Sequence, residues 1–267
     1  MTSTDLKNAN SEQPLNQHTA VCLGRSGDRN CGLGVPEVLR VIQILEHGSI
    51  PSCVTGSKAL VYYGAGRVAQ DWEVTVPDEL VDHARLVFAQ NHDYETLQPV
   101  MPQPKSLIHT CPLFKLKHVA FTFFLVPASE PFIDCDAAER ERSYNGIPYP
   151  KLEHLAQSLL DTQNYAGLED LVDGMDLDEK WGYANLDLDR VPIEYIKRKN
   201  ELICESRPGL PGLMASLSLA PDARREWARV VRGKVARMTP KYSEAIYSTR
   251  FRLRDSLDPR LDRNRQV

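Results

Sequence analysis

Apolar positions at helical spacing open the readable part of the chain. Val38, Leu39, Val41, Ile42 and Leu45 share one face of a helix that Pro36 begins at a first-turn position and Gly48 ends. A short strand over Ser52 to Thr55 follows, then a short helix over Ser57 to Tyr63. The loop Gly64-Ala65-Gly66 returns the chain to Asp71 to Val76, where polar and apolar residues alternate as in a half-buried strand. Asp78 caps a helix running to about Asn91, with Leu80, Val81, Ala84, Val87 and Phe88 on one face. Further strands are predicted at Tyr94 to Leu97, Leu107 to His109 and Leu116 to Val126, with the proline-rich run Pro99 to Lys105 as a loop.

From Tyr149 the period becomes helical throughout. Pro150 opens a helix carrying Leu152, Leu155, Leu159 and Leu160, and Ala166 to Met175 forms a second. Pro192 to Glu205, Ala220 to Arg237 and Pro240 to Arg254 follow, with a Pro/Gly break at 208–212. This order predicts an α+β fold: a small mixed β-sheet backed by helices, then a helical C-terminal region. The expected division is a loop-rich or disordered lead at 1–35, an α/β core at 36–148 and the helical region at 149–267. Gly24 to Gly34 is glycine-rich, but no Gly-Lys-Ser/Thr follows it, so it reads as part of the lead and not as a phosphate cradle.

The candidate chemistry lies in Val54-Thr55-Gly56-Ser57 and, after a spacer of thirteen residues, Asp71-Trp72-Glu73-Val74. Alternation along the strand points Asp71 and Glu73 the same way, with Trp72 and Val74 facing the packed side. Two carboxylates are the protein's share of a Mg²⁺ site whose remaining ligands are waters and nucleotide phosphate oxygens. Gly56 allows close backbone approach, and Ser57 can offer a hydroxyl and a backbone N–H to phosphate at a helix start. Lys58 and Arg67 are nearby cations. Taken singly, Gly-Ser is an ordinary strand-to-helix turn, the strand an exposed antiparallel strand and a loop arginine a surface charge.

Together these residues resemble the signature of the nucleotidyltransferase superfamily, the polymerase-β-like fold: an apolar residue and Gly-Gly/Ser, a spacer, then Asp-apolar-Asp/Glu-apolar. The wider segments Val54 to Tyr63, Gly64 to Arg67, Asp71 to Pro77 and Gly167 to Leu177 also resemble a fungal branch of nucleotidyltransferase-like proteins, and the likeness spans roughly residues 36 to 190. It implies Mg²⁺ as cofactor, ATP or another NTP as substrate, and transfer of a nucleoside monophosphate to the hydroxyl of an unidentified small-molecule acceptor. Asp71 and Glu73 would be catalytic and hold the metal, while Gly56, Ser57, Lys58 and Arg67 would bind the nucleotide. Members of the superfamily supply a third carboxylate from a later strand. Leu116 to Val126 carries none, and the nearest acids, Glu130, Asp134 and Asp136, lie beyond Pro127. His118, or else His109, is then the expected base. The missing acid also supports an alternative, a degenerate member that binds a nucleotide or metabolite without transfer.

Composition places the chain among ordinary globular proteins: 267 residues, 25% charged and a net charge of −4. No apolar run is long enough to span a membrane, the polar start lacks a signal-peptide core, and six scattered cysteines without metal spacing read as free thiols. The expected address is cytoplasmic. Charge is unevenly placed: residues 224–267 hold thirteen Lys/Arg against five Asp/Glu. An interaction module whose basic helix meets nucleic acid is one reading, disfavoured by the few aromatics there, and a basic helix packed across an acidic body is the other.

Overall fold

A computed structural model describes residues 34–65, 67, 71–98, 100–207 and 216–237. The expected lead, the break at 208–212 and the helix at 240–254 fall almost wholly outside these residues. Helix α1 (Val35–His47) buries Val38, Val41, Ile42 and Leu45, the stripe read from the sequence. β1 (Cys53–Thr55) runs directly into α2 (Gly56–Tyr62), and β2 (Trp72–Val76) returns antiparallel to β1. A 3₁₀ turn at Asp78–Leu80 precedes α3 (Val81–Ala89). The Asp78 side chain does not cap this helix; its Oδ1 accepts the backbone N–H of Ser129 instead.

β3 (Tyr94–Thr96), β4 (Leu113–Leu116) and β5 (Phe121–Pro127) complete a five-stranded mixed sheet in the order β1-β2-β5-β4-β3. β5 lies parallel to β2 and antiparallel to β4. As a central strand it is apolar on both faces: Phe121, Phe123 and Leu125 enter the main core, while Phe124 and Val126 join a smaller cluster with Ile108 and Leu113.

Two expectations change here. The run Leu116 to Val126 is not one strand but the two arms of a hairpin, because the chain reverses at Lys117 to Ala120 with His118 in the left-handed region at φ 68. Leu107 to His109 is not a strand either. Ile108–Thr110 is a 3₁₀ turn closed by Thr110 N–H on Leu107 C=O at 2.8 Å, with Ile108 buried in the smaller cluster.

β6 (Arg140–Arg142) and β7 (Pro148–Pro150) form a separate hairpin beside β1, tied to it where Arg140 Nη1 donates to Ser52 C=O at 2.7 Å. The helical region then follows: α4 (Leu152–Asp161), α5 (Tyr165–Met175), α7 (Ile193–Ser206) and α8 (Ala223–Arg237) answer to predicted helices, and α6 (Glu179–Asn185) is an added one. A single apolar core runs from Val38 and Ile42 of α1 through Trp72, Phe88 and Phe123 to Leu168, Leu171, Trp227 and Val230 of the helices.

The basic helix α8 packs across acids of the helical region. Arg224 pairs with Asp189, Arg229 with Glu169, Arg232 with Glu179, Lys234 with Asp176 and Arg237 with Asp173. Four of its five arginines, with Lys234, are therefore engaged within the molecule, as the second of the two readings expects for this helix; the rest of the basic segment, 238–267, lies outside the described residues. α5 is equally close on its other side. A Cβ at Gly174 would lie 2.7 Å from the carbonyl oxygen of Tyr63 and 2.9 Å from the nitrogen of Ala65, both backbone atoms of the turn that ends α2. Gly174→Ala is therefore expected to destabilise the protein by about 1–3 kcal/mol through overpacking against atoms that cannot rotate away. Urea unfolding of the two proteins measures it.

Candidate active site

The end of β1 and the start of β2 face each other in antiparallel register, Thr55 opposite Glu73. Gly56 then turns the chain into α2 at φ 60. A Cβ at this position would sit 2.0 Å from Glu73 Oε1, so the carboxylate rests against the bare Cα of Gly56. The Ser57 backbone N–H donates to the same carboxylate. Asp71, two residues earlier and exposed, accepts a short hydrogen bond from the Thr122 hydroxyl of β5. Trp72 and Val74 are buried on the opposite side. The strand thus sorts its residues as alternation requires, and Gly56, Ser57, Asp71 and Glu73 line one cleft of about 690 Å³.

Electrostatics in this cleft are unbalanced. The Glu73 carboxyl is pushed up to about 7, first by burial and then by the neighbouring charges of Glu130 and Asp71, with the Ser57 N–H acting in the opposite sense. Glu130, in the turn after β5, is the third carboxylate of the cleft. β5 itself supplies none: its residues beside Asp71 and Glu73 are Thr122 and Phe124. Asp134 and Asp136 do not line this cleft; they line an adjoining hollow of about 1750 Å³, bounded also by α4 and α7, that shares Glu130, Ile133, Ser158 and Lys199 with the cleft but includes none of Gly56, Ser57, Asp71 or Glu73. No group of three or more His, Cys, Asp or Glu among the described residues is arranged to cage a metal.

The other expected site residues separate. Arg67 lines the cleft but is ion-paired with Asp170 of α5. Lys58 is 5% exposed and sends its ammonium over the Trp72 ring, 4.9 Å from the centroid, on the side of β2 away from the carboxylates. A helix start places residues one apart on different faces, which is why Ser57 and Lys58 diverge. His118 stands in the exposed hairpin turn and His109 is buried near Arg207, its imidazole pKa lowered by burial and then by that guanidinium; neither lines the cleft.

Lys105, Ser106 and Lys199, which no motif in the sequence marks, also line the cleft, as does Glu130 from beyond Pro127. A signal for Lys199 existed: it lies between Ile196 and Ile203 on the buried face of α7, where a lysine needs a partner.

No family model matches the chain, and no curated protein matches it in sequence. Among solved structures it is similar to the antibiotic-resistance factor ANT(2'')-Ia in solution, at 11% identity over 76% of this chain and 94% of that one, with a TM-score of 0.33. It is similar to the same factor in complex with adenylyl-2''-tobramycin, at 10% identity over 75% and 98% of the two chains and a TM-score of 0.32. A candidate nucleotidyltransferase from H. pylori is likewise similar, at 14% identity over 78% and 96% and a TM-score of 0.32. The last of these carries the name of the group that the sequence motif resembles. At these scores the likeness is distant and carries no chemistry over to this chain.

The raised Glu73 pKa fixes a sign for stability. The folded state holds this proton more tightly than the unfolded chain, so stability is highest below the ordinary carboxyl pKa and falls as pH rises toward 7. Glu73→Gln removes the charge and its cost. It is expected to match the wild type near pH 4 and exceed it by about 2–3 kcal/mol at pH 8, as measured by urea unfolding at each pH.

Proposed function

We propose that this cleft binds an NTP with Mg²⁺ and that the protein transfers the nucleoside monophosphate to the hydroxyl of a small-molecule acceptor. The observation that carries the reading is the convergence of Asp71 and Glu73 on the Gly56-Ser57 turn in one cavity. The donor set suits Mg²⁺, which takes one or two protein carboxylates and fills its octahedron with water and phosphate oxygens. Asp71 and Glu73 would hold the ion, and when bound it neutralises phosphate charge and aligns the displacement.

In the reaction the acceptor oxygen forms a bond to the α-phosphorus and gives up its proton to water, the bond to the β-phosphate bridging oxygen breaks, and pyrophosphate departs with that electron pair. Thr122 fixes the Asp71 carboxylate, and Ser57 N–H with the Gly56 contact fixes Glu73, so both ligands are oriented in advance. The base expected at His118 has no place in this scheme, since that side chain sits in the β4–β5 turn. A reducing compartment, the cytoplasm, suits free thiols such as Cys53 and Cys135, which lie 3.4 Å apart without a bond. Among the described residues no helix is long and apolar enough to cross a membrane.

A second reading has its own observation. Because β5 sets Thr122 and Phe124 beside the acidic pair where a carboxylate would complete the cage, a protein that binds the nucleotide without transferring it also accommodates the cleft. Both readings predict Mg²⁺-dependent NTP binding; only the first predicts turnover.

Wild-type protein supplied with each of the four NTPs, Mg²⁺ and a panel of hydroxyl acceptors is expected to release pyrophosphate. Asp71→Ala and Glu73→Ala should each reduce that release by about a hundredfold or more, with far-UV circular dichroism unchanged. NTP binding without any pyrophosphate release would select the second reading, and no NTP binding would remove both.

A further inference from the structure

We propose that Lys105 is the cleft's anion-contacting residue and that a clamp closed by Lys199, acting through Glu130, holds it there; this rests on the nucleotide-binding reading above. The loop carrying Lys105 has an unusual backbone. Lys105 lies at φ 60, a region that a residue with a long side chain and no local hydrogen-bonding group rarely enters, and such a conformation persists only where its surroundings over-determine it.

The surroundings are visible on both flanks. Arg207, buried at the end of α7, donates to the carbonyls of Gln103 and Ser106, the latter at 2.8 Å. Glu130 Oε1 accepts the Ser106 hydroxyl at 2.9 Å and the Leu107 backbone N–H at 3.0 Å. Residues 103 to 107 are therefore gripped from two sides, with Lys105 between the grips.

Glu130 needs its own hold. Its side chain is 10% exposed and shares the cleft with Asp71 and Glu73, so an uncompensated charge there would be costly. Lys199 compensates it. The ammonium lies 3.0 Å from Glu130 Oε2 and donates to the Glu130 carbonyl at 2.6 Å, and the Tyr195 hydroxyl reaches the same carbonyl at 3.3 Å. The lysine is 5% exposed, so this contact is shielded from water and from salt.

The charge inventory then singles out Lys105. Among the described residues lining the cleft, Arg67 is paired with Asp170 and Lys199 with Glu130, while Lys105 forms no ion pair. It is the cation available to a polyphosphate chain lying against Asp71 and Glu73. Lys199 is a positioning residue, whose effect on binding passes through Glu130, Ser106 and the backbone of the loop.

A double-mutant cycle on the full chain separates this from a direct contact. In calorimetric titrations with ATP and with inorganic pyrophosphate, both in Mg²⁺, Lys105→Gln and Lys199→Met are each expected to weaken binding about tenfold. The double variant should also lose only about tenfold, because one variant removes what the other misplaces. A loss of about a hundredfold in the double variant would show two independent contacts and overturn the clamp. Lys199→Arg, which keeps the charge and a donor, should recover most of the affinity.

Hydrogen exchange gives a readout that needs no ligand. The Leu107 amide should exchange faster in Lys199→Met and at the wild-type rate in Lys105→Gln; unchanged protection in Lys199→Met also overturns the proposal. Should Lys199→Met not fold, Ser106→Ala breaks the same chain of contacts at its outer end and replaces it in both measurements. If the wild type binds neither ligand, the nucleotide reading and the role given to Lys105 fall together, and the exchange arm still decides whether Lys199 closes the clamp.

Discussion

The contact between the Glu73 carboxylate and the bare Cα of Gly56 is the constraint on which this molecule is arranged. It requires β1 and β2 to pair with Thr55 opposite Glu73, and it requires a residue without a side chain at the turn, since any Cβ would overlap the carboxylate at 2.0 Å. A slip of one residue in that register would send Glu73 into the core and Trp72 into the cleft. Burial of Trp72, Val74 and Val76 on the packed face makes such a slip expensive, so the hydrophobic core itself aims the acidic pair.

That arrangement concentrates negative charge. Asp71, Glu73 and Glu130 share one cavity, and burial, reinforced by the two neighbouring charges, pushes the Glu73 carboxyl up to about 7. The sheet cannot relieve this alone, because the lysine next to the motif, Lys58, is spent on the Trp72 ring. Relief comes from the helical region. α7 contributes Lys199 to Glu130, and α5 contributes Asp170 to hold Arg67 at the cleft wall. The helices are thus part of the site's electrostatics as well as of its packing.

Docking of those helices rests mainly on apolar burial. Trp227 and Val230 of α8 are fully buried, and Trp227 packs on Trp181 with ring centroids 5.9 Å apart. Most of the arginine pairs around them lie at the surface, where each contributes little to stability, while Arg237 makes two hydrogen bonds to the part-buried Asp173. Asp173 and Glu169 of α5 are taken up by this contact.

Much of this was legible in the chain. The α1 stripe, the alternation at Asp71 to Val76 and the leucines of α4 each repeat at the period of their own element, and local backbone geometry alone sets that period. The Gly56-Ser57 turn and the shared direction of Asp71 and Glu73 followed for the same reason. Long-range closure was not legible. The hairpin turn at His118 hides inside a run of strand-forming residues, and the 3₁₀ turn at Ile108 is set by its packing in the smaller core and by contacts around Leu107. Glu130 meets Lys199 across 69 residues of chain. The sequence by itself determined which residues could form an acidic pair beside a glycine turn, because neighbours on one strand are placed by a repeat of two. Only the tertiary structure decided which charges complete the cleft, because partners brought together by folding share no spacing that a one-dimensional pattern can record.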